Sequence, residues 1–500
     1  MPPSPCFTGL PTEVRLQIYE FYFHLPGGLI YSHNKQKLVA KDPEEKLEVS
    51  LMFTCRTIAV ETEGLPFEFN TVTFTTGCHT SNYSHAGEYS QTLRRLHIQR
   101  FEVLTYMRPA ISKEIYDETT SRFPLFEPVL DAIKEHWPQN GEDNEEFIRE
   151  IARWGDVPFS AREAVALTCQ LALQSMERET IAAVARYRLD HPNLPPHDDP
   201  LRILTLDHPP WEIPSKRKLQ RLRASLYMPP QGAFSWERGV RNDDGIWKNS
   251  SQHTRPYHFS AAAVAIHFLH QLSFKQRAHF RNIVLREDSK SVAFPACHAR
   301  GLIPFCQENP CLRIERRVNL IGNVLEVPED LCLARDRFIS DMSKALAVWL
   351  VEAMDMEPAG MPPNALSFVL DDDQAPDRAM VAFDKVYHRC LTWQRHLESG
   401  YESGDKNTRS FFQLAKNRLY ILDGFPRAME ELYRNNGILR CNFNPGEPRE
   451  VTESSIWTMD DYATIDIVDE LGFDQRSVML HFNHAIGEVF GDTELPGLLW

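Results

Sequence analysis

The 500-residue sequence lacks most of the signatures that tie a chain to a particular chemistry. It has no G-x-x-x-x-G-K-S/T, and no G-x-G-x-x-G following a strand pattern, so phosphate cradling by a glycine-rich loop has no support. G-x-S-x-G and H-E-x-x-H are missing too, which counts against the commonest hydrolases and zinc proteases. The ten cysteines include no C-x-x-C pair, and a chain of this length needs no disulfide staples, so reduced and mostly buried thiols are expected. No apolar run approaches the roughly 18 residues that a membrane span requires. The start, MPPSPCFTGLP, has neither the basic residues nor the apolar stretch of a secretory signal. Positive charge is scarce: 54 basic against 69 acidic residues leave a net charge of −15, which disfavours general nucleic-acid binding and anionic membranes. These absences predict an intracellular chain, cytoplasmic or nuclear, with no cofactor motif.

What is present is the material of a large folded body. An apolar content of 42% rules out disorder as the general state, and 34 prolines predict short elements joined by stiff connectors. Leu10, Val14, Ile18 and Phe21 recur at i, i+4, i+8 and i+11, which predicts a helix with these residues on its buried face. Thr12 is placed to cap its first amides, Glu13 complements its dipole, and Pro26-Gly27-Gly28 ends it. A polar stretch, Ser32–Lys46, reads as a loop. Leu51, Cys55, Ile58 and Leu65 mark a second amphipathic helix, and Val72-Thr73-Phe74 a short strand.

LPTEVRLQIYEFYF, then LMFTCRTIAVETE, then FNTVTF resembles the N-terminal module of the fungal F-box-like proteins. The residues that carry the resemblance are Leu10, Pro11, Glu13, Arg15, Ile18, Tyr19, Cys55, Arg56, Glu61, Asn70 and Phe74, over about 70 residues. The insertion Ser32–Lys46 and the lack of a compact third helix depart from a standard F-box. The resemblance implies a partner-docking surface at Leu10, Pro11, Glu13, Arg15, Ile18, Tyr19, Cys55, Arg56 and Glu61. Its implied partners are the linker subunit of a cullin-RING ubiquitin ligase and a protein target. Pro210–Leu222 and Cys297–Leu320 extend the resemblance more loosely. Alternatively, two amphipathic helices packed together need only Leu10, Val14, Ile18, Leu51, Cys55 and Ile58 as a small core, with the charged residues as ordinary surface pairs.

The remainder reads as a helix-rich α/β chain. Residues 1–80 form the F-box-like module and 81–200 a mainly helical region, with Ser160–Tyr187 as one long helix. Residues 201–375 form an irregular, leucine-rich-repeat-like stack, and 376–500 a C-terminal helical region with a helix at Val478–Val489. Strands are expected at Leu201–Leu206, Phe280–Leu285, Leu312–Ile321, Leu366–Leu370 and Ile438–Phe443, each of the middle ones following a helix. Such units bury their apolar faces only against one another, so a single curved sheet with helices outside is expected.

Three clusters invite a chemical reading. His481, His484 and Glu488 share one face of the expected C-terminal helix, a geometry that suits metal ligation. Cys297, His298, Cys306 and Cys311 form the densest Cys/His group, but without the close pairs of a structural zinc site, and packing as small apolar residues is the simpler account. His267 and His270 fall on the edge of an alanine-rich helix. The basic run Ser215–Arg223 reads as the solvated face of a short helix with Leu219 and Leu222 inward. No metal, cofactor or catalytic residue is assigned. Three functions remain open: a protein-interaction module acting as a ligase adaptor, a stand-alone scaffold, and an enzyme of a type that spacing cannot reveal.

Overall fold

The computed structural model describes residues 7–76, 83–135, 157–190, 202–226, 258–324, 338–383 and 422–446, apart from a few positions inside these spans, together with isolated positions between 387 and 395. The fold is a helix-rich α/β arrangement around a seven-stranded sheet. Its strands are β1 (Leu29–Ser32), β2 (Lys37–Ala40), β3 (Thr71–Thr75), β4 (Asn282–Glu287), β5 (Arg313–Asn319), β6 (Leu366–Asp371) and β7 (Leu439–Cys441). The order across the sheet is β2-β1-β3-β4-β5-β6-β7. Only the β1–β2 pair is antiparallel; every other neighbour runs parallel. From β3 onward the sheet grows strand by strand in chain order, and right-handed crossovers then place successive connections on one side.

The burial pattern follows from that one-sided cover. Ile283 and Leu285, Ile314 and Val318, and Phe368 and Leu370 point into the core, while Val284, Glu315 and Ser367 on the other face stay half-exposed; Val369, on that other face too, is the exception and is buried. The apolar side is covered by the helices Ala261–His270 and Phe338–Met354 and by the 3-10 segment Pro295–Leu302. The Ala261–His270 helix can lie close because its first turn is alanine and Ser260 caps it, accepting from the Ala263 amide. The helices from Tyr83 to Ala224, in the stretch between β3 and β4, are tied to the Phe338–Met354 helix by Phe159, whose amide donates to Glu352.

The polar insertion is ordered. Residues 29–40 form the β1–β2 hairpin and extend the sheet two strands beyond β3, where a loop was expected over Ser32–Lys46. Gly28 enters β1 with φ +71°, and a side chain there would run into the Thr71 carbonyl of β3. The expected strand Leu201–Leu206 is a helical turn, Arg202–Thr205, instead. Arg100 takes the carbonyls of Ile203 and Leu206, leaving that segment outside the sheet. Ser160–Tyr187 is two helices, Phe159–Ser175 and Arg178–Asp190; near the end of the first, the Ser175 and Thr180 hydroxyls both donate to the Ala172 carbonyl. The basic run forms the helix Lys216–Ala224 with Leu219 and Leu222 inward. The expected helix at Val478–Val489, with His481, His484 and Glu488, lies outside the described residues.

Candidate partner-docking surface

The N-terminal module is organised by helix α1 (Thr12–Phe23), α2 (Arg56–Glu61) and the short α3 (Leu65–Glu68). Pro11 precedes α1, and no side chain caps it; the Thr12 hydroxyl instead accepts from Arg15 Nη2 at 3.3 Å. The buried line of α1 is Arg15, Tyr19 and Phe23 at i, i+4 and i+8. This overturns the expected burial of Leu10, Val14, Ile18 and Phe21, all of which are exposed, Phe21 to 90%.

Charge pairing accounts for the inversion. Tyr19 and Phe23 are wholly buried and pack with Ile58 and Leu65, with Phe7 and Leu51 at the edge. Arg15 joins that side because its charge is met there. Its Nε and Nη2 donate to the two Glu61 carboxylate oxygens at 2.9 and 2.6 Å, and Nη1 donates to the carbonyls of Thr8 and Leu10. The Tyr19 hydroxyl donates to Glu61 at 2.7 Å. The bond from Arg15, then that from Tyr19, hold the Glu61 carboxyl below its ordinary range, while burial and the Glu61 bond push the Tyr19 phenol up to about 12. The three groups therefore keep their charge states through neutral pH and pin α1 with its aliphatic side outward.

Asn70 fixes the module to the sheet. Its amide donates to the carbonyls of Phe23 at 2.7 Å and Pro66 at 2.8 Å, and its oxygen accepts from the Leu25 amide at 2.7 Å. One buried side chain thus joins the end of α1, α3 and the start of β3. Phe74 then stacks on Tyr31 of β1 with ring centroids 5.6 Å apart.

The residues singled out from the sequence divide into two groups. Arg15, Tyr19 and Glu61 come together as an internal linkage. Leu10, Pro11, Glu13, Ile18, Cys55 and Arg56 are exposed, Cys55 leading into α2. The sequence reading passed over Phe53 and Val60 of the same module, exposed to 82% and 67%. Val14 and Phe21 belong with the outward stripe as well. The signal available was the aromatic line Tyr19–Phe23, which shares one helix face with Arg15.

The Cys/His group is structural as far as its geometry goes. Cys297 and Cys306 are buried, Cys311 is exposed, and among the described residues no three His, Cys, Asp or Glu side chains are placed to hold a metal ion. Cys297 donates to the Phe294 carbonyl at 3.2 Å and accepts from Arg162 at 3.1 Å; burial pushes its thiol up to about 12, which removes thiolate reactivity at neutral pH. His298 Nε2 lies 2.7 Å from the Ala293 carbonyl, which only accepts, so Nε2 carries the proton and Nδ1 accepts from the Ser260 hydroxyl at 2.6 Å. Ser260 and His298 thus have the spacing of a nucleophile and its base, but both are buried, and Ser260 is occupied as a helix cap.

Compared with protein-family models, curated proteins and solved structures, the chain matches none of them.

Proposed function

We propose that the chain is a protein-interaction module whose N-terminal helices dock a protein partner, in its specific form as an F-box-like substrate adaptor of a cullin-RING ubiquitin ligase. The observation that carries this reading is α1 with the residues just ahead of it: its one basic residue, Arg15, is buried, and the apolar stripe of Leu10, Val14, Ile18 and Phe21 is turned to solvent. An apolar stripe on an ordered helix, flanked by the exposed Glu13, has the character of a surface meant to be covered. The strand-by-strand parallel sheet with one covered face supports a leucine-rich-repeat-like stack as the target-holding body. The mechanism is positional: a target held beside a ubiquitin-charged enzyme at high effective concentration, with no chemistry in this chain.

Co-expression with the linker subunit of the native host tests the reading. The wild-type chain is expected to co-elute with it, while Ile18→Asp and Phe21→Asp, both on exposed positions, abolish co-elution and leave stability within about 0.5 kcal/mol of wild type. Absence of a complex, or a complex indifferent to both substitutions, would refute the adaptor role. A stand-alone scaffold is the second reading, favoured by the continuity of β1–β3 with β4, which makes the module one end of the body's sheet.

A further inference from the structure

We propose that Arg162 holds a small monovalent anion of halide size, buried where the helices Tyr83–Tyr106 and Phe159–Ser175 meet the 3-10 segment Pro295–Leu302. The site is separate from the docking helices and does not depend on their role. Arg162 lies in the first turn of the Phe159–Ser175 helix and is exposed to only 9%. Its guanidinium carbon sits 4.0 Å from the centre of the Phe294 ring and 5.7 Å from that of Phe159, so aromatic faces hold it in place. Nη2 donates to the Cys297 sulfur at 3.1 Å, but Nε and Nη1 are buried with no hydrogen-bond partner.

A guanidinium keeps its charge at any physiological pH, and a buried charge needs both a counter-charge and acceptors for its hydrogens. The neighbouring cations have theirs. Arg316 pairs with the buried Glu287 at 2.9 Å, and Arg300 with Glu352 at 2.9 Å and Asp355 at 3.6 Å. Arg162 forms no ion pair among the described residues: Glu352 is taken by Arg300 and the Phe159 amide, and Glu163 is exposed and makes no bond to it. Cys297, a thiol pushed up to about 12 by burial, supplies one weak neutral acceptor.

Two more polar atoms at this junction are buried without a partner. They are the Ser160 hydroxyl, two residues earlier on the helix, and Nε2 of His97, whose ring packs edge-on to Phe294 with centroids 6.1 Å apart. Burial, followed by the charge of Arg162, pushes His97 down to about 3, so its imidazole is neutral and Nε2 can bear the ring proton. Ala293 and Phe294, at φ +67° and +63°, form a strained left-handed turn that seats the Phe294 ring against both Arg162 and His97. Every orphaned group here can donate a hydrogen bond. An anion only accepts and also neutralises the guanidinium, whereas water brings two hydrogens of its own and no charge. The single uncompensated charge sets the valence at one, and the enclosure excludes a carboxylate carried by another macromolecule.

Crystals of the full chain soaked in bromide test this, because bromide stands in for chloride and scatters anomalously. The expected result is an anomalous peak in hydrogen-bonding contact with Arg162 Nε or Nη1. In solution, at ionic strength held constant with gluconate, the apparent unfolding constant should fall about tenfold for each tenfold rise in bromide beyond half-saturation. Arg162→Met, which keeps an unbranched side chain against the two rings, should lose both the peak and the bromide dependence. A water or no density at these nitrogens in saturating bromide would overturn the proposal on the wild-type chain alone, whether or not the variant folds. So would a bromide dependence that survives in Arg162→Met.

Discussion

Asn70 is where a single atom-scale change should travel furthest. Replacing it with alanine removes three hydrogen bonds and leaves the Leu25 amide and the Phe23 and Pro66 carbonyls to be satisfied in a site where Asn70 itself is only 1% exposed. At roughly 1 kcal/mol for each lost bond, Asn70→Ala should destabilise the module by about 3 kcal/mol. Since 1.4 kcal/mol is a factor of ten, amide exchange in the segment from Phe23 to Leu29 should accelerate on the order of a hundredfold, read by hydrogen–deuterium exchange of the full chain. Asn70→Asp sharpens the test. Its carboxylate still accepts from Leu25, but its other oxygen faces two carbonyls, which raises its folded pKa above the unfolded one. The variant should therefore be more stable below the ordinary carboxylate range near 4 and lose stability as pH rises towards neutrality. Exchange that rises by less than about threefold in Asn70→Ala would refute the reasoning, as would an Asn70→Asp variant indifferent to pH.

Two further outcomes follow from the core. Glu287 is wholly buried and accepts from the Ala261 amide at 2.8 Å and from Arg316 at 2.9 Å, so Glu287→Ala should cost about 3–5 kcal/mol, read as a lowered urea midpoint, by leaving that guanidinium without its carboxylate. Burial pushes both His97 and His298 down to about 3, below their unfolded value near 6.5. Their contribution to stability is then complete above pH 6.5 and lost progressively as pH falls towards 3, with a slope of up to about 1.4 kcal/mol per pH unit for each. Urea midpoints between pH 7 and 4 should show that decline, and His298→Gln should make it shallower; an unchanged slope would contradict the burial of a neutral imidazole.

The strands β4 to β7 were legible because each is an apolar alternation or run following a helical pattern, and burial of one face enforces that alternation. The β1–β2 hairpin was not. Its strands are four residues each, and β2 sits at the edge half-exposed, so little hydrophobic signal was required of it. The sense of α1 was misread for another reason. Periodicity identifies faces, not which one is buried, and both the Leu10–Phe21 stripe and the Arg15–Phe23 line have helical spacing. What decided between them was Glu61, 46 residues away from Arg15, a pairing that no local pattern contains.

The sheet order sets a timetable for synthesis. β3 has β1 on one side from the outset, but its other neighbour, β4, follows about two hundred residues later in the chain. At ~5–20 residues per second, a ribosome needs roughly 10–40 s to deliver it. During that interval the half-built sheet presents the open edge of Thr71–Thr75, with Val72 and Phe74 not yet covered by the Ala261–His270 helix, to every other nascent chain nearby. The helices between β3 and β4 are made first and can shield this edge only from outside the sheet. Yield of the intact fold should thus depend on chaperone supply more than on the stability of the finished molecule, and slowing translation before β4 should lengthen the period of risk.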